Sequence, residues 1–307
     1  MKKLLILSLT AIIVLSIMLA GCSGSKGTIV VGSKIDTEGS LLGQMMILML
    51  QDKGYDVVDK TQTGATSIVK AALETGEIDM YPEYTGNGAF FFNEQNSPVW
   101  NNAQQGYERV KQLDKEQNNI DWLAPAPANN TWAIAVPKSL ADQNNLKTLD
   151  DFAAYVNGGG YVKLIGSEEF ITSPVALPKF MTVYGFTLSG DQLLSVSSGD
   201  TAQTEKAASE GTDGVNAAMA YGTDGSLAAF NLVILSDPKG AQPVYEPAPR
   251  VRGQIITDHP DIPGILDPVF ESLTLETLQT LNGKIAVDGL NPKDVARDYL
   301  TSKGFLK

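Results

Sequence analysis

Five short segments near the start of the chain alternate in kind, and that alternation limits the fold more than any other feature. Residues 28–32 (Thr-Ile-Val-Val-Gly) are a β-branched run closed by glycine, the pattern of a buried strand. Residues 40–53 follow, with Leu41, Leu42, Met45, Met46, Leu48 and Met49 before a Gly54 stop, and read as a buried helix. Residues 55–59 read as a second strand, 67–75 as a helix ending at Gly76, and 78–81 as a third strand. Strand–helix–strand–helix–strand at this spacing implies a parallel sheet. The pattern restarts after residue 130. A strand at 132–136 is closed by Pro137, a helix at 149–156 by Gly158, and a strand at 162–165, a helix at 177–184 and a strand at 215–221 follow. The expected fold class is therefore α/β, in two lobes. Residues 228–235 and 243–256 read as strands and connections, and 273–285 and 292–303 as closing helices. Asn291 caps the last of these, with Pro292 at its first position.

The N-terminus reads as a secretory leader: Met-Lys-Lys, an apolar run from Leu4 to Ala20, then Leu19-Ala20-Gly21-Cys22. It resembles a bacterial lipobox, so residues 1–21 are expected to be a lipoprotein signal peptide and Cys22 the lipidated new N-terminus. The alternative is an uncleaved anchor, although Ser8, Thr10 and Ser16 interrupt a run of about the minimum spanning length. Either way the remainder is expected outside the cytoplasm. Residues 22–27 read as the lipid attachment and a flexible tether. Cys22 is the one cysteine, so no internal disulfide is available and the core alone must hold the fold. The net charge is −12, or −14 without Lys2 and Lys3, which argues against nucleic acid and anionic membrane surfaces.

Enzyme chemistry has little to build on here. His259 is the single histidine, so His-based triads and multi-His metal sites are not expected. No P-loop or dinucleotide fingerprint follows a strand, and Gly158-Gly159-Gly160 is a bare turn. No cofactor or metal is expected. The segment from Gly76 to Gly88 is different: it sets Tyr81 and Tyr84 around Pro82, with Asp79 and Glu83 beside them. Pro82 is expected to break the chain out of regular structure after residue 81. Exposed aromatic faces beside carboxylates suit a bulky organic cation. The plain alternative is one core tyrosine and an ordinary turn.

Four blocks then resemble the osmoprotectant-binding proteins of ABC importers, the quaternary-ammonium branch of substrate-binding proteins. They are Gly32-Ser-Lys34, residues 76–86 (Gly-Glu-Ile-Asp-Met-Tyr-Pro-Glu-Tyr-Thr-Gly), residues 127–133 (Pro-Ala-Asn-Asn-Thr-Trp-Ala) and residues 220–225 (Ala-Tyr-Gly-Thr-Asp-Gly). Pro247-Ala-Pro249 and Arg252 accompany them. The strings at 34–38 and 214–221 are similar to the YehZ/OsmF type within the family. The resemblance implies a bilobal type II periplasmic-binding-protein fold, with a two-strand hinge closing on the ligand. Lobe 1 would be residues 28–130 plus 222–307, and lobe 2 residues 131–221. It implies an aromatic box from Tyr84, Trp132, Tyr221 and Phe170, with Glu169 as the acidic neighbour of Phe170. Lys34, Asn87, Asn130 and Thr223 would be its polar companions. The implied partners are a quaternary ammonium ligand and the permease and ATPase subunits of an importer, with the receptor a lipid-anchored monomer.

Two departures from the family pattern matter. The arginine expected after Glu-Phe, which grips a betaine carboxylate, is replaced by Ser173, and a hydroxyl cannot replace a bidentate guanidinium. The lobe-two tyrosine expected before Val215 is also missing, since residues 201–205 (Thr-Ala-Gln-Thr-Glu) hold no aromatic. A thinner box and a weaker anion clamp follow, with low affinity for glycine betaine or a different ligand. Arg250 or Arg252 could substitute, or serve the hinge. A receptor for another small cation or polar metabolite, and a non-transport enzyme or sensor on the same scaffold, remain open alternatives.

Overall fold

The computed structural model describes residues 25–197 and 201–307; the expected signal peptide and Cys22 lie outside them. The chain opens with β1 (Thr28–Lys34), α1 (Thr37–Asp52), β2 (Asp56–Gly64), α2 (Thr66–Thr75) and β3 (Met80–Tyr84). Then come α3 (Ala103–Asn118) and β4 (Ile120–Trp122). It next builds β5 (Trp132–Pro137), α4 (Leu149–Asn157), β6 (Leu164–Ser167), α5 (Glu168–Thr172), α6 (Leu177–Tyr184) and β7 (Leu193–Val196). After α7 (Thr201–Glu210), β8 (Ala217–Tyr221) and β9 (Leu232–Ile234), it returns as β10 (Pro247–Arg252). It closes with α8 (Ile262–Glu271), α9 (Leu275–Ala286) and α10 (Pro292–Ser302). Two five-stranded sheets result, ordered β2-β1-β3-β10-β4 and β7-β6-β8-β5-β9.

Helix α1 anchors the first sheet. Asp36 caps it by accepting from the Gly39 N–H, and residues 38–50 are all buried. A helix apolar all round must be covered all round. It is, since Leu41, Leu42, Met45 and Met46 share one core with Ile29 and Val31 of β1, Phe270 of α8 and Leu300 of α10. The second sheet has its own core, with Ile134, Val136, Leu164 and Met219 packed against Phe152 and Phe180.

The sheets are mixed rather than parallel. β1 pairs parallel with β2 and β3, but β10 runs antiparallel to β3 and β4, and β5 antiparallel to β8 and β9. Pro82 does not end a strand: it lies inside β3, directly opposite Pro249 of β10. The pair is tolerated because it is not a hydrogen-bonded one. Pro249 turns its carbonyl away from β3, to the Leu123 N–H at 3.0 Å, so neither missing N–H is needed between the two strands.

The return to the first sheet comes later than residue 222. Leu232–Ile234 forms the edge strand beside β5, and Leu227, Leu232 and Leu235 are buried in the second lobe. The two crossings run side by side and antiparallel. Leu123, Ala126 and Asn130 donate their N–H groups to Pro249, Pro247 and Tyr245 at 3.0, 2.8 and 2.9 Å. The loop after β8 adds a third attachment. The Gly222 carbonyl accepts from Gln279 of α9 at 2.8 Å, and the Thr223 carbonyl from Asn282 at 2.9 Å. The end of the expected tether is also fixed. The Lys26 N–H bonds the Gly54 carbonyl at 3.0 Å and its ammonium pairs with Asp261 at 2.7 Å.

Candidate functional site

Between the two sheets, at the crossings, lies a cleft of about 620 Å³. Strand ends feed it. Lys34 comes from the end of β1, Tyr84 from the end of β3, Trp132 from the start of β5 and Tyr221 from the end of β8. Asn87, Asn130, Glu169 and Thr223 also line it, so eight of the expected site residues meet in one place. Trp132 and Tyr221 are cross-strand partners in the β5–β8 ladder, with ring centroids 6.5 Å apart and planes 20° apart. They form a stacked wall on the second-lobe side.

Phe170 is the exception. Its side chain is fully buried, packed edge-on behind Trp132 at 6.1 Å and against Phe180 at 6.4 Å. The one-turn helix α5, capped by the Ser167 hydroxyl, points this ring into the core and leaves Glu169 toward the cleft. Phe170 therefore supports the box from behind. Tyr245, on the return crossing, supplies a ring that sequence reasoning missed. Its one signal was position, two residues ahead of the Pro247-Ala-Pro249 block. Thr201 and Ala202 line the wall where the expected second-lobe tyrosine is missing.

Glu38 was also missed, and it is the electrostatic centre of the floor. It occupies the first turn of α1 at only 4% exposure. Its carboxylate accepts from the Tyr84 hydroxyl at 2.8 Å, from Asn130 Nδ2 at 3.2 Å and from Asn282 Nδ2 at 2.7 Å, and Thr223 hydrogen-bonds it as well. Burial nevertheless wins over these donors and pushes the carboxyl up from 4.5 to about 7. Burial beside Glu38 raises the Tyr84 phenol well above its ordinary value, so it donates rather than ionises. The visible signal was the string Lys34-Ile-Asp-Thr-Glu38, which puts a carboxylate one turn after a cleft lysine.

Neither arginine substitutes for the missing guanidinium. Arg250, on β10 opposite Tyr81 of β3, is fully buried and clamped by Asp114 through Nε at 2.6 Å and Nη2 at 3.0 Å. Arg252 pairs with Asp79 at 3.0 Å. Among the described residues lining the cleft, Lys34 is the one cation, against Asp36, Glu38, Glu169 and Asp224. Such a set, aromatic walls with an excess of carboxylate, is suited to a small organic cation.

A family model described as the substrate-binding domain of an ABC-type glycine betaine transport system matches residues 27–302. The chain is 56% identical over 277 residues to the glycine betaine-binding protein YehZ of Escherichia coli, covering 90% of this chain and 91% of that protein. It is 31% identical to a glycine-betaine-binding protein of Pseudomonas aeruginosa, over 89% of this chain and 87% of that one. The solved structure of apo YehZ from Escherichia coli superposes with a TM-score of 0.83 at 55% identity, covering 91% of this chain and 99% of that one. The structure of a glycine betaine/carnitine/choline ABC transporter component reaches 0.79 at 18% identity, a likeness of fold.

Proposed function

Because this chain belongs to the family of substrate-binding domains of ABC-type glycine betaine transport systems, we propose that its cleft captures a quaternary ammonium osmolyte and delivers it to a membrane permease. The observation that carries this is the meeting of Tyr84, Trp132, Tyr221 and Tyr245 around one cleft whose floor is a buried carboxylate. A trimethylammonium group cannot donate hydrogen bonds. It is held by aromatic faces and net negative charge, each face contributing about 1–2 kcal/mol once water is excluded. The carboxylate of a betaine would find Lys34 and the Asn87 amide but no arginine, which supports modest affinity for glycine betaine.

Binding without turnover is the expectation that goes with a family of transport substrate-binding proteins. Partner permease and ATPase subunits and an extracytoplasmic location belong with the family; the lipid anchor at Cys22 and a monomeric receptor are proposed with them. Lobe 1, as residues 28–122 with 247–307, would close on the intervening lobe 2 about the paired crossings. No helix among the described residues is long and apolar enough to cross a membrane.

Calorimetry on protein lacking residues 1–22 tests this with glycine betaine, choline, carnitine, proline betaine and ectoine. A quaternary ammonium ligand is expected to bind and to be recovered unmodified. No binding at millimolar concentration would refute the aromatic-box assignment. Trp132→Ala is expected to remove most binding while the second lobe still folds.

A further inference from the structure

Glu83, on β3, is a fully buried carboxylate of the first lobe. One of its oxygens, Oε1, accepts from the Lys34 ammonium at 2.5 Å, the Tyr84 N–H at 2.8 Å and the Asn87 amide at 2.8 Å. The other, Oε2, accepts from the Tyr81 hydroxyl at 2.8 Å. Tyr81 is fixed in turn by Arg250 Nη1 at 3.1 Å, and Arg250 by the Asp114 clamp. Glu83 therefore cannot swing away from its partners.

What Glu83 holds matters for the ligand. The Lys34 ammonium stands over the Tyr84 ring, 4.5 Å from its centroid, and so shares that ring with the ligand's own cation. An uncompensated unit charge there would repel a quaternary ammonium group in a low-dielectric cleft. A carboxylate in direct contact cancels most of that field at the range of the box. The same carboxylate holds the Asn87 amide, the second donor expected to serve the ligand's polar end.

We infer that Glu83 is a specificity-determining positioning residue, which neutralises Lys34 beside Tyr84 so that a permanent cation can occupy the aromatic box. This rests on the quaternary-ammonium assignment above. Choline and glycine betaine separate the two, since they share a trimethylammonium head but carry net charges of about +1 and 0 at neutral pH.

The experiment is calorimetric titration of both compounds into wild type, Glu83→Gln, Lys34→Met and the double variant. Glu83→Gln unmasks Lys34, so choline is expected to weaken about tenfold and glycine betaine much less. Lys34→Met leaves the Glu83 charge unbalanced, so the ratio is expected to move the opposite way, with choline strengthened relative to glycine betaine. The double variant, with no ammonium left to mask, is expected to recover the choline affinity lost in Glu83→Gln, whereas glycine betaine, without its Lys34 contact, is not. Shifts of opposite sign cannot come from general structural damage, and Glu83→Asp, which withdraws the carboxylate from Lys34, is expected to weaken choline selectively in the same sense should Glu83→Gln not fold. Equal weakening of both compounds, or an unmoved ratio in both single variants, would overturn the role of Glu83 while wild-type binding stands. Wild type binding neither compound would overturn the assignment of the ligand, and this role with it.

Discussion

Replacing Glu38 with glutamine probes the charge state of the cleft floor without emptying the space. In the folded protein burial moves this carboxyl from 4.5 to about 7, whereas in the unfolded chain it titrates near its ordinary value. Between those two values the folded state holds a proton that the unfolded state has released. Stability is therefore complete below about 4.5 and is lost as pH rises through about 7. At about 1.4 kcal/mol per tenfold step, that loss amounts to roughly 3 kcal/mol by pH 8. The glutamine of the Glu38→Gln variant does not titrate. It keeps an acceptor for Tyr84 and Asn130 but turns an amide toward Asn282, at a cost of about 1 kcal/mol. The variant should then be about 1 kcal/mol less stable at pH 4.5 and roughly 2 kcal/mol more stable at pH 8, the curves crossing in between. Urea denaturation of both proteins at half-unit pH steps reads this directly. Only the difference between the proteins matters, because Glu246 and Asp267 are also raised by burial and titrate in both. Parallel curves from pH 4.5 to 8 would refute the reasoning.

A bound quaternary cation favours the ionised form of Glu38, so wild-type affinity for choline should rise severalfold from pH 6 to pH 8. Calorimetry in buffers of different ionisation enthalpy should detect the released proton, and both effects should vanish in Glu38→Gln. Asp114→Ala strands the fully buried Arg250 without its clamp and should cost about 3–5 kcal/mol in chemical denaturation. Gly225→Ala would place a Cβ 2.0 Å from the Gly283 amide nitrogen, a backbone atom that cannot yield. Its melting temperature should fall by several degrees or more, while Gly264→Ala, with no atom within 4 Å of the new Cβ, should hold or rise slightly.

The β1-to-β3 half of the first sheet was legible because its hydrophobic periods are unambiguous, and α1 is apolar enough to announce its burial. Helix α3 was not: of its sixteen residues only Gly106, Val110, Leu113 and Asp114 are buried, too few for a stripe. Pro82 misled for a definite reason. A proline forbids a ladder bond only where one is due, and whether position 82 faces a bonding or non-bonding pair depends on β10, far away in sequence. The late return of the chain was hidden likewise, because β9 is three residues whose role comes from pairing with β5. Within the site, Tyr84, Trp132 and Tyr221 were found through motif blocks at strand ends. Phe170 carried the right chemistry in the right motif, but a single helical turn decides which of two neighbours faces the cleft. Glu38 and Tyr245 lay in or beside matched blocks, and only their place in the cleft distinguished them.

The third attachment between the lobes has a mechanical consequence. Two parallel connections allow one body both to rotate about them and to slide along them. The Gly222-to-Gly225 loop, wedged between Asn129 at the crossing and Gly283 of α9, would block the sliding. Because it sits beside the crossings, it would act as a bearing close to the axis and leave the rotation free. Points near an axis scarcely travel, so Glu38, Tyr84, Asn130 and Thr223 would keep their places while the distant rim, with Glu169 and Phe90, sweeps through the arc. An arriving solute would then meet a finished seat before any door shuts, and the entropy of assembling that seat would already have been spent in folding.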